Sequence, residues 1–237
     1  MLNPKKYVVL CLCLSFVVLV STLGLSKIGN SVAAWQSKAD ETPVFVIDPG
    51  HGGEDGGTSD AYGRKESDIN LSISLRLRDL LRLLGAQTHM IREADTSVES
   101  EGASIAARKV SDIRNRVQMT EDTPNAYLIS IHQNHYPEGK YRGAQVFYSK
   151  TEESQGWAES LQKLINTQVD PKNHRECKLA RDIYLMEHVH CPAILVECGF
   201  LSNNEEAALL QEASYQKKLA AAIACSAMGI TEDKNEI

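Results

Sequence analysis

Four ionisable side chains, far apart in the chain, each stand at the end of an apolar run or at the start of one. They are His51 in "VFVIDPGHGG", Glu66 in "GRKESDINL", His132 in "AYLISIHQN" and Glu197 in "AILVECGF". Two imidazoles and a carboxylate are the donor set of a catalytic zinc site, where three protein ligands leave a fourth position open. A bound Zn2+ lowers the pKa of water from about 16 to about 7, so hydroxide becomes available near neutral pH. The reaction then needs a further carboxylate to take the proton and pass it on. His51, Glu66 and His132 are therefore the candidate ligands of one Zn2+ ion, and Glu197 is the candidate catalytic residue. Singly, His51 also reads as a loop hydrogen-bonder, and Glu66 as a first-turn charge favoured by the helix dipole. Glu197 has no such plain reading, because an ionised carboxylate after Ala-Ile-Leu-Val is costly unless paired.

Other candidates are weaker. His135 forms H-x-x-H with His132, but beyond a strand that spacing does not guarantee a shared metal. His188 and His190 belong to a loop before Pro192, and His89 and Cys225 read as packing or surface residues. Neighbours in a strand face opposite ways, so Cys198 points away from any site that Glu197 enters. "DPGHGGEDGG" lacks the Lys-Ser/Thr of a phosphate loop.

The four groups must be positioned by elements that the sequence also marks. "VFVID", "AQTHMIR", "AYLISIH", "GAQVFYS", "IYLME" and "AILVECGF" read as six strands. Between them, Ile69, Ile73, Leu77, Leu80 and Leu84 recur at helical spacing, with Ser67 or Asp68 as the cap and Gly85 as the stop. Ala106, Val110, Ile113 and Val117 mark a second helix, and Trp157, Leu161, Leu164 and Val169 a third. Asn203 with Glu206 looks like a capped start, and Ser214 a cap for a last helix ending near Gly229. Strands alternating with helices predict an α/β fold: a layered, twisted, mostly parallel (mixed) six-stranded sheet flanked by helices, in one catalytic domain. In such sheets functional groups gather beyond the carboxyl ends of strands. His51, His132 and Glu197 each end a strand, and Glu66 precedes a helix that returns to the same rim.

A chain of 237 residues with a net charge of −6 buries one substantial core and is a poor match for a nucleic-acid surface. Lys5 and Lys6 precede an uncharged stretch, 7–26, long enough to span a bilayer. Residues 1–26 read as a signal peptide or an N-terminal membrane anchor, with a small-residue cleavage site in "SVAA" keeping both readings open. Residues 27–42 read as a linker, 43–230 as the catalytic domain and 231–237 as a charged tail. Cys177, Cys191, Cys198 and Cys225 match no disulfide framework and read as free buried thiols.

Taken in order, "VFVIDPGHGGEDGG", "KESDINL", "SIHQN" and "VECGFLSN" resemble the zinc-dependent N-acetylmuramoyl-L-alanine amidases, the bacterial cell-wall amidases. "MIREADTSV", with Arg92 and Asp95, and "DIRNRV", with Arg116, extend the resemblance over nearly the whole domain. It implies zinc on His51, Glu66 and His132 and a catalytic Glu197. It also implies hydrolysis of the amide joining N-acetylmuramic acid to L-alanine, on peptidoglycan glycan strands with stem peptides. Cys198 and His135 depart from the usual motif residues without removing a ligand. An N-terminal apolar segment, a bare catalytic domain and no wall-binding module resemble the sporulation and germination amidases of spore cortex. Residues 149–192 leave no room for a long inhibitory helix, which points to control by expression, export or an extracytoplasmic activating protein. An inactive peptidoglycan-binding module and a zinc peptidase cutting within the stem peptide are the alternatives.

Overall fold

A computed structural model describes residues 42–99 and 104–233. The apolar segment 7–26, the linker to residue 41 and the last four residues lie outside them. No helix among the described residues is long and apolar enough to cross a membrane.

Six strands form one sheet: β1 (Val44–Pro49), β2 (Gln87–Met90), β3 (Ala126–Asn134), β4 (Gln145–Tyr148), β5 (Lys178–Leu179) and β6 (Ala193–Phe200). Their order is β2-β1-β3-β6-β4-β5. All neighbours are parallel except β4, which runs antiparallel to β6. The central strands β1, β3 and β6 are buried on both sides, which is why they read as continuous apolar runs rather than alternating ones.

The helices are α1 (Glu66–Leu83), α2 (Ile105–Glu121), α3 (Glu152–Leu164, continued by a π-helical turn to Val169), α4 (Tyr184–His188), α5 (Asn204–Gln211) and α6 (Ala213–Asp233). Ile47, Ile129 and Val196 pack with apolar residues of α1, α3 and α6. Val46, Leu128 and Leu195 point the other way, towards α2 and α4. The second layer is thinner, and its strand residues turn polar towards the carboxyl end: Asp48 and Ser130 pair across β1 and β3, His132 and Glu197 across β3 and β6.

Three local expectations are corrected. "IYLME" is not a strand. Tyr184–His188 form α4, with Leu185 and Met186 both buried, after a turn in which Asp182 takes a φ of +60°. A four-residue apolar run does not separate strand from buried helix, and the true fifth strand, Lys178–Leu179, is too short and polar to stand out. Neither Ser67 nor Asp68 caps α1, which begins at Glu66. Carbonyls of the preceding loop do the capping: Glu66 N–H donates to Thr58 O at 2.9 Å, and Ser67 N–H to Gly56 O at 3.2 Å. Ser214 lies inside α6, which starts at Ala213 and continues past Gly229 to Asp233. Gly85 stops α1 as expected: it takes φ +85°, and Ala86 N–H returns to Leu81 O at 2.9 Å. Asn203 caps α5, its side chain accepting from the Glu205 and Glu206 amides.

Candidate metal centre

β1 delivers His51 to the rim through a loop that tolerates almost no side chains. A Cβ at Gly50 would lie 2.2 Å from His132 ring atoms. At Gly57, where φ is +67°, it would lie 2.6 Å from Glu66 Oε2. His51 itself takes φ +61°, a left-handed conformation uncommon outside glycine. Such a residue persists only where its surroundings hold it. Here two buried arginines do so. Arg116 donates to the carbonyls of Pro49 (3.1 Å) and His51 (2.9 Å). Arg92 donates to those of Pro49 (2.8 Å) and Gly50 (3.0 Å). The Arg116 charge is met by Asp112 at 2.6 Å and by Asp48 in direct contact. Burial pushes the Asp48 carboxyl up, but Arg116, His132 and the Ser130 hydroxyl together outweigh it and hold the carboxyl below the usual carboxylate range.

Glu66, buried at the first position of α1, is held at both oxygens. Oε2 accepts from Thr58 N–H at 3.0 Å; Oε1 accepts from Gln133 N–H at 3.0 Å and Asn70 Nδ2 at 3.3 Å. Oε1 also faces His132 Nδ1 at 3.0 Å and His51 Nε2 at 3.3 Å. Burial works to raise its pKa, and the two imidazoles reverse that, so the carboxyl stays ionised. On His51, burial lowers the pKa, yet Glu66 and Asp55 overcome it and push it up to about 9. Asp55 Oδ2 sits 2.8 Å from His51 Nδ1, which leaves Nε2 turned towards Glu66. A carboxylate on the outer nitrogen is the usual way to orient a ligating imidazole.

One donor atom each from His51, Glu66 and His132 lies within 4.8 Å of the others, the one such group found among the described residues. Glu197 stands opposite His132 in the β3–β6 register. Its Oε2 is buried and has no hydrogen-bond partner. Burial pushes its carboxyl up to about 7; His132 opposes the rise and Glu66 adds to it. A cavity of about 290 Å³ opens beside the group, reached by His51, His132 and Glu197 and walled by Ile113, Ile183 and Leu195. A mixed N/O donor set with an unsatisfied buried oxygen beside it fits a divalent cation such as zinc.

The model of the N-acetylmuramoyl-L-alanine amidase family matches residues 45–228. The chain belongs to that family. The germination-specific N-acetylmuramoyl-L-alanine amidase of Bacillus subtilis is 40% identical over 184 residues, 76% of each chain. Among solved structures, the CwlD amidase of Clostridioides difficile, in complex with the GerS lipoprotein, superposes with a TM-score of 0.78. It is 34% identical, and the match covers 81% of this chain and 99% of that one. The amidase AmiC2 of Nostoc punctiforme gives 0.69 at 30% identity, over 80% and 97% of the two chains.

The amidase keeps its other histidines away from this group. His135 is exposed in the loop after β3. His188 bonds the Tyr184 carbonyl, exposed His190 pairs with Glu121, and His89 bonds Thr123. Cys198 is buried in the opposite layer, as expected. The four described cysteines are free thiols, but only Cys198 is buried; Cys177 and Cys191 are half-buried and Cys225 is exposed, which corrects the expectation of buried thiols. Residues whose sequence context marks no role carry much of the amidase's architecture: Asp48, Asp55, Asn70 and Gln133, while Arg92 and Arg116 are marked only as motif positions. One signal was available for α1. Glu66, Asn70 and Ser74 repeat at four-residue spacing beside the apolar stripe, and all three are buried.

Proposed function

We propose that His51, Glu66 and His132 hold one zinc ion and that Glu197 moves the proton as the enzyme hydrolyses the amide between N-acetylmuramic acid and L-alanine in peptidoglycan. The observation that carries this reading is the clamped His-Glu-His group with the unpartnered, buried Glu197 Oε2 beside it. When bound, the ion supplies Lewis acidity, polarising the scissile carbonyl and acidifying water. Glu197 Oε2 accepts the proton that water loses as its oxygen adds to the carbonyl carbon. The same carboxyl then returns that proton to the alanine nitrogen as the C–N bond breaks. A carboxyl raised by burial into the neutral range is suited to both steps. Asp55, Arg92 and Arg116 keep His51 in its left-handed conformation throughout, so the donor group is pre-organised.

The finer role is in spore cortex, supported by the 40% identity to a germination-specific enzyme. An extracytoplasmic protein partner is supported by the CwlD structure, solved with a lipoprotein. Lys5 and Lys6 ahead of residues 7–26 support export, with that segment a signal or a retained anchor.

Digestion of purified peptidoglycan, read by mass, tests the reaction. Peptide-free glycan together with intact stems beginning at L-alanine is the expected result. Fragments cut within the stem indicate a zinc peptidase, and binding without fragments indicates an inactive module.

A further inference from the structure

The carboxyl rim of the sheet carries a second built feature, beside the metal group. β6 lies between β3 and β4 in the sheet, so the connection from β3 to β4 crosses over the carboxyl end of β6, next to Glu197. That crossing presents Tyr136 and Tyr141, 47% and 38% exposed. Their rings lie 4.7 Å apart at 76°. Tyr141 stacks in turn on buried Phe200, 6.4 Å away. The crossing is pinned to the turn after β6: Tyr136 N–H donates to Ser202 Oγ at 3.1 Å, and Asn203 Nδ2 to the Gly139 carbonyl at 2.8 Å. Exposed apolar side chains standing singly need no explanation, but adjoining aromatic rings on a held loop form a surface.

We propose that Tyr136 and Tyr141 form a saccharide-stacking subsite for the glycan strand that flanks the scissile bond. The inference rests on the amidase reading of the site. The two arms of that substrate differ in kind. The stem peptide ends, and the cavity walled by Ile113 and Ile183 suits an arm that ends. The glycan continues in both directions and needs an open ledge. Axial C–H bonds of a pyranose carry partial positive charge and meet the negative face of an aromatic ring. The exposed pair stands on the crossing over the carboxyl end of β6, outside the lining of that cavity, where an open ledge is available.

The test compares the unaltered full chain with the Tyr136→Ala/Tyr141→Ala and Tyr136→Phe/Tyr141→Phe double variants. Peptide-free glycan oligosaccharide is titrated and half-saturation read by NMR. The alanine variant is expected to need about tenfold more glycan, the sum of two ring contacts, while the phenylalanine variant matches the unaltered chain. In a second arm, an N-acetylmuramoyl-peptide without neighbouring sugars should be cut at equal rates by all three. No glycan binding by the unaltered chain, no loss in the alanine variant, or an equal loss in the phenylalanine variant overturns the subsite. So does a slower second arm in the alanine variant, which would place the tyrosines at the reaction centre or in a partner's interface. Failure of the unaltered chain to release stems from whole peptidoglycan overturns the proposed function instead, and leaves the glycan titration to decide the subsite alone.

Discussion

His132 and Glu197 are direct neighbours in paired strands, yet their surroundings are opposite. The His132 ring is boxed in: Gly50 lies against it, and Glu66 holds Nδ1 at 3.0 Å. Glu197 has apolar Val196 before it and a buried oxygen that nothing in the fold satisfies. A ligand must keep one orientation, and every hydrogen bond that fixes it helps. A group that carries a proton to and fro needs a free lone pair and a pKa near the working pH. Clamping Glu197 as Glu66 is clamped would hold it ionised and remove the second property. The difference between the two neighbours is therefore a division of labour, and each half of it can be broken separately.

The largest effects belong to the clamped half. His51→Ala and His132→Ala should each purify without zinc and without detectable hydrolysis, because a three-ligand site loses affinity sharply when one ligand goes. His135→Ala, three residues beyond His132 but exposed, should keep both metal and activity. Metal analysis of the three proteins decides it. Retention in His51→Ala with loss in His135→Ala would mean that the wrong imidazole has been assigned. The unclamped half should respond differently. Glu197→Gln should keep zinc and the fold while hydrolysis falls by at least about 10²-fold, since the amide fills the same space and accepts no proton. Normal turnover in that variant would remove Glu197 from the mechanism.

How far the sequence revealed this division depends on where each signal lies. His51, Glu66, His132 and Glu197 stand at strand ends or a helix start, and the strands that carry them are apolar enough to be located. Their convergence then follows from topology. The clamps were less legible, because they depend on side chains that meet only after folding. Arg116 sits among the positions that bury α2, and nothing in "DIRNRV" says that it reaches the carbonyls of Pro49 and His51. The left-handed turn at His51 has no sequence mark either, since the glycines around it explain close approach but not its own φ. Outside the site, "IYLME" does not reveal its helix, because four apolar residues and a glutamate carry too little period to tell helix from strand.

Arg116 tests whether the clamps also stabilise the fold. Arg116→Ala leaves Asp48 buried without its cation, and breaking a buried pair in that way costs about 3–5 kcal/mol. The denaturation midpoint should drop accordingly, and His51 should lose two of the bonds that hold its turn. The pH dependence has a definite sign. Asp48 is held below its unfolded pKa of about 3.9, so the pair contributes in full above that value and is lost as pH falls through the lower folded value. Asp48→Asn should therefore be less stable at neutral pH and lose less further stability below about pH 4. A parallel fall in both proteins would show that protonation of Asp48 is not the source of the acid loss.

Asp55 offers the smallest and most selective change. It is half-buried at the edge of the cavity, with one oxygen on His51 Nδ1 at 2.8 Å and the other on Lys109 at 2.9 Å. Neither contact is part of the core, so Asp55→Asn should fold, with only the small drop in midpoint that two partly exposed ion pairs supply. What it loses is the charge that fixes which His51 nitrogen carries the proton. Removing an outer carboxylate of this kind typically weakens metal affinity by about 10–100-fold. Competition with a chelator should therefore show zinc leaving Asp55→Asn at lower chelator concentration than the unaltered protein, though far above that needed for His51→Ala. Lys109→Ala separates the two contacts of Asp55: it should leave zinc affinity near normal, because the lysine does not touch the imidazole. Equal weakening in both variants would mean that the Lys109–Asp55 pair acts as one unit on the imidazole.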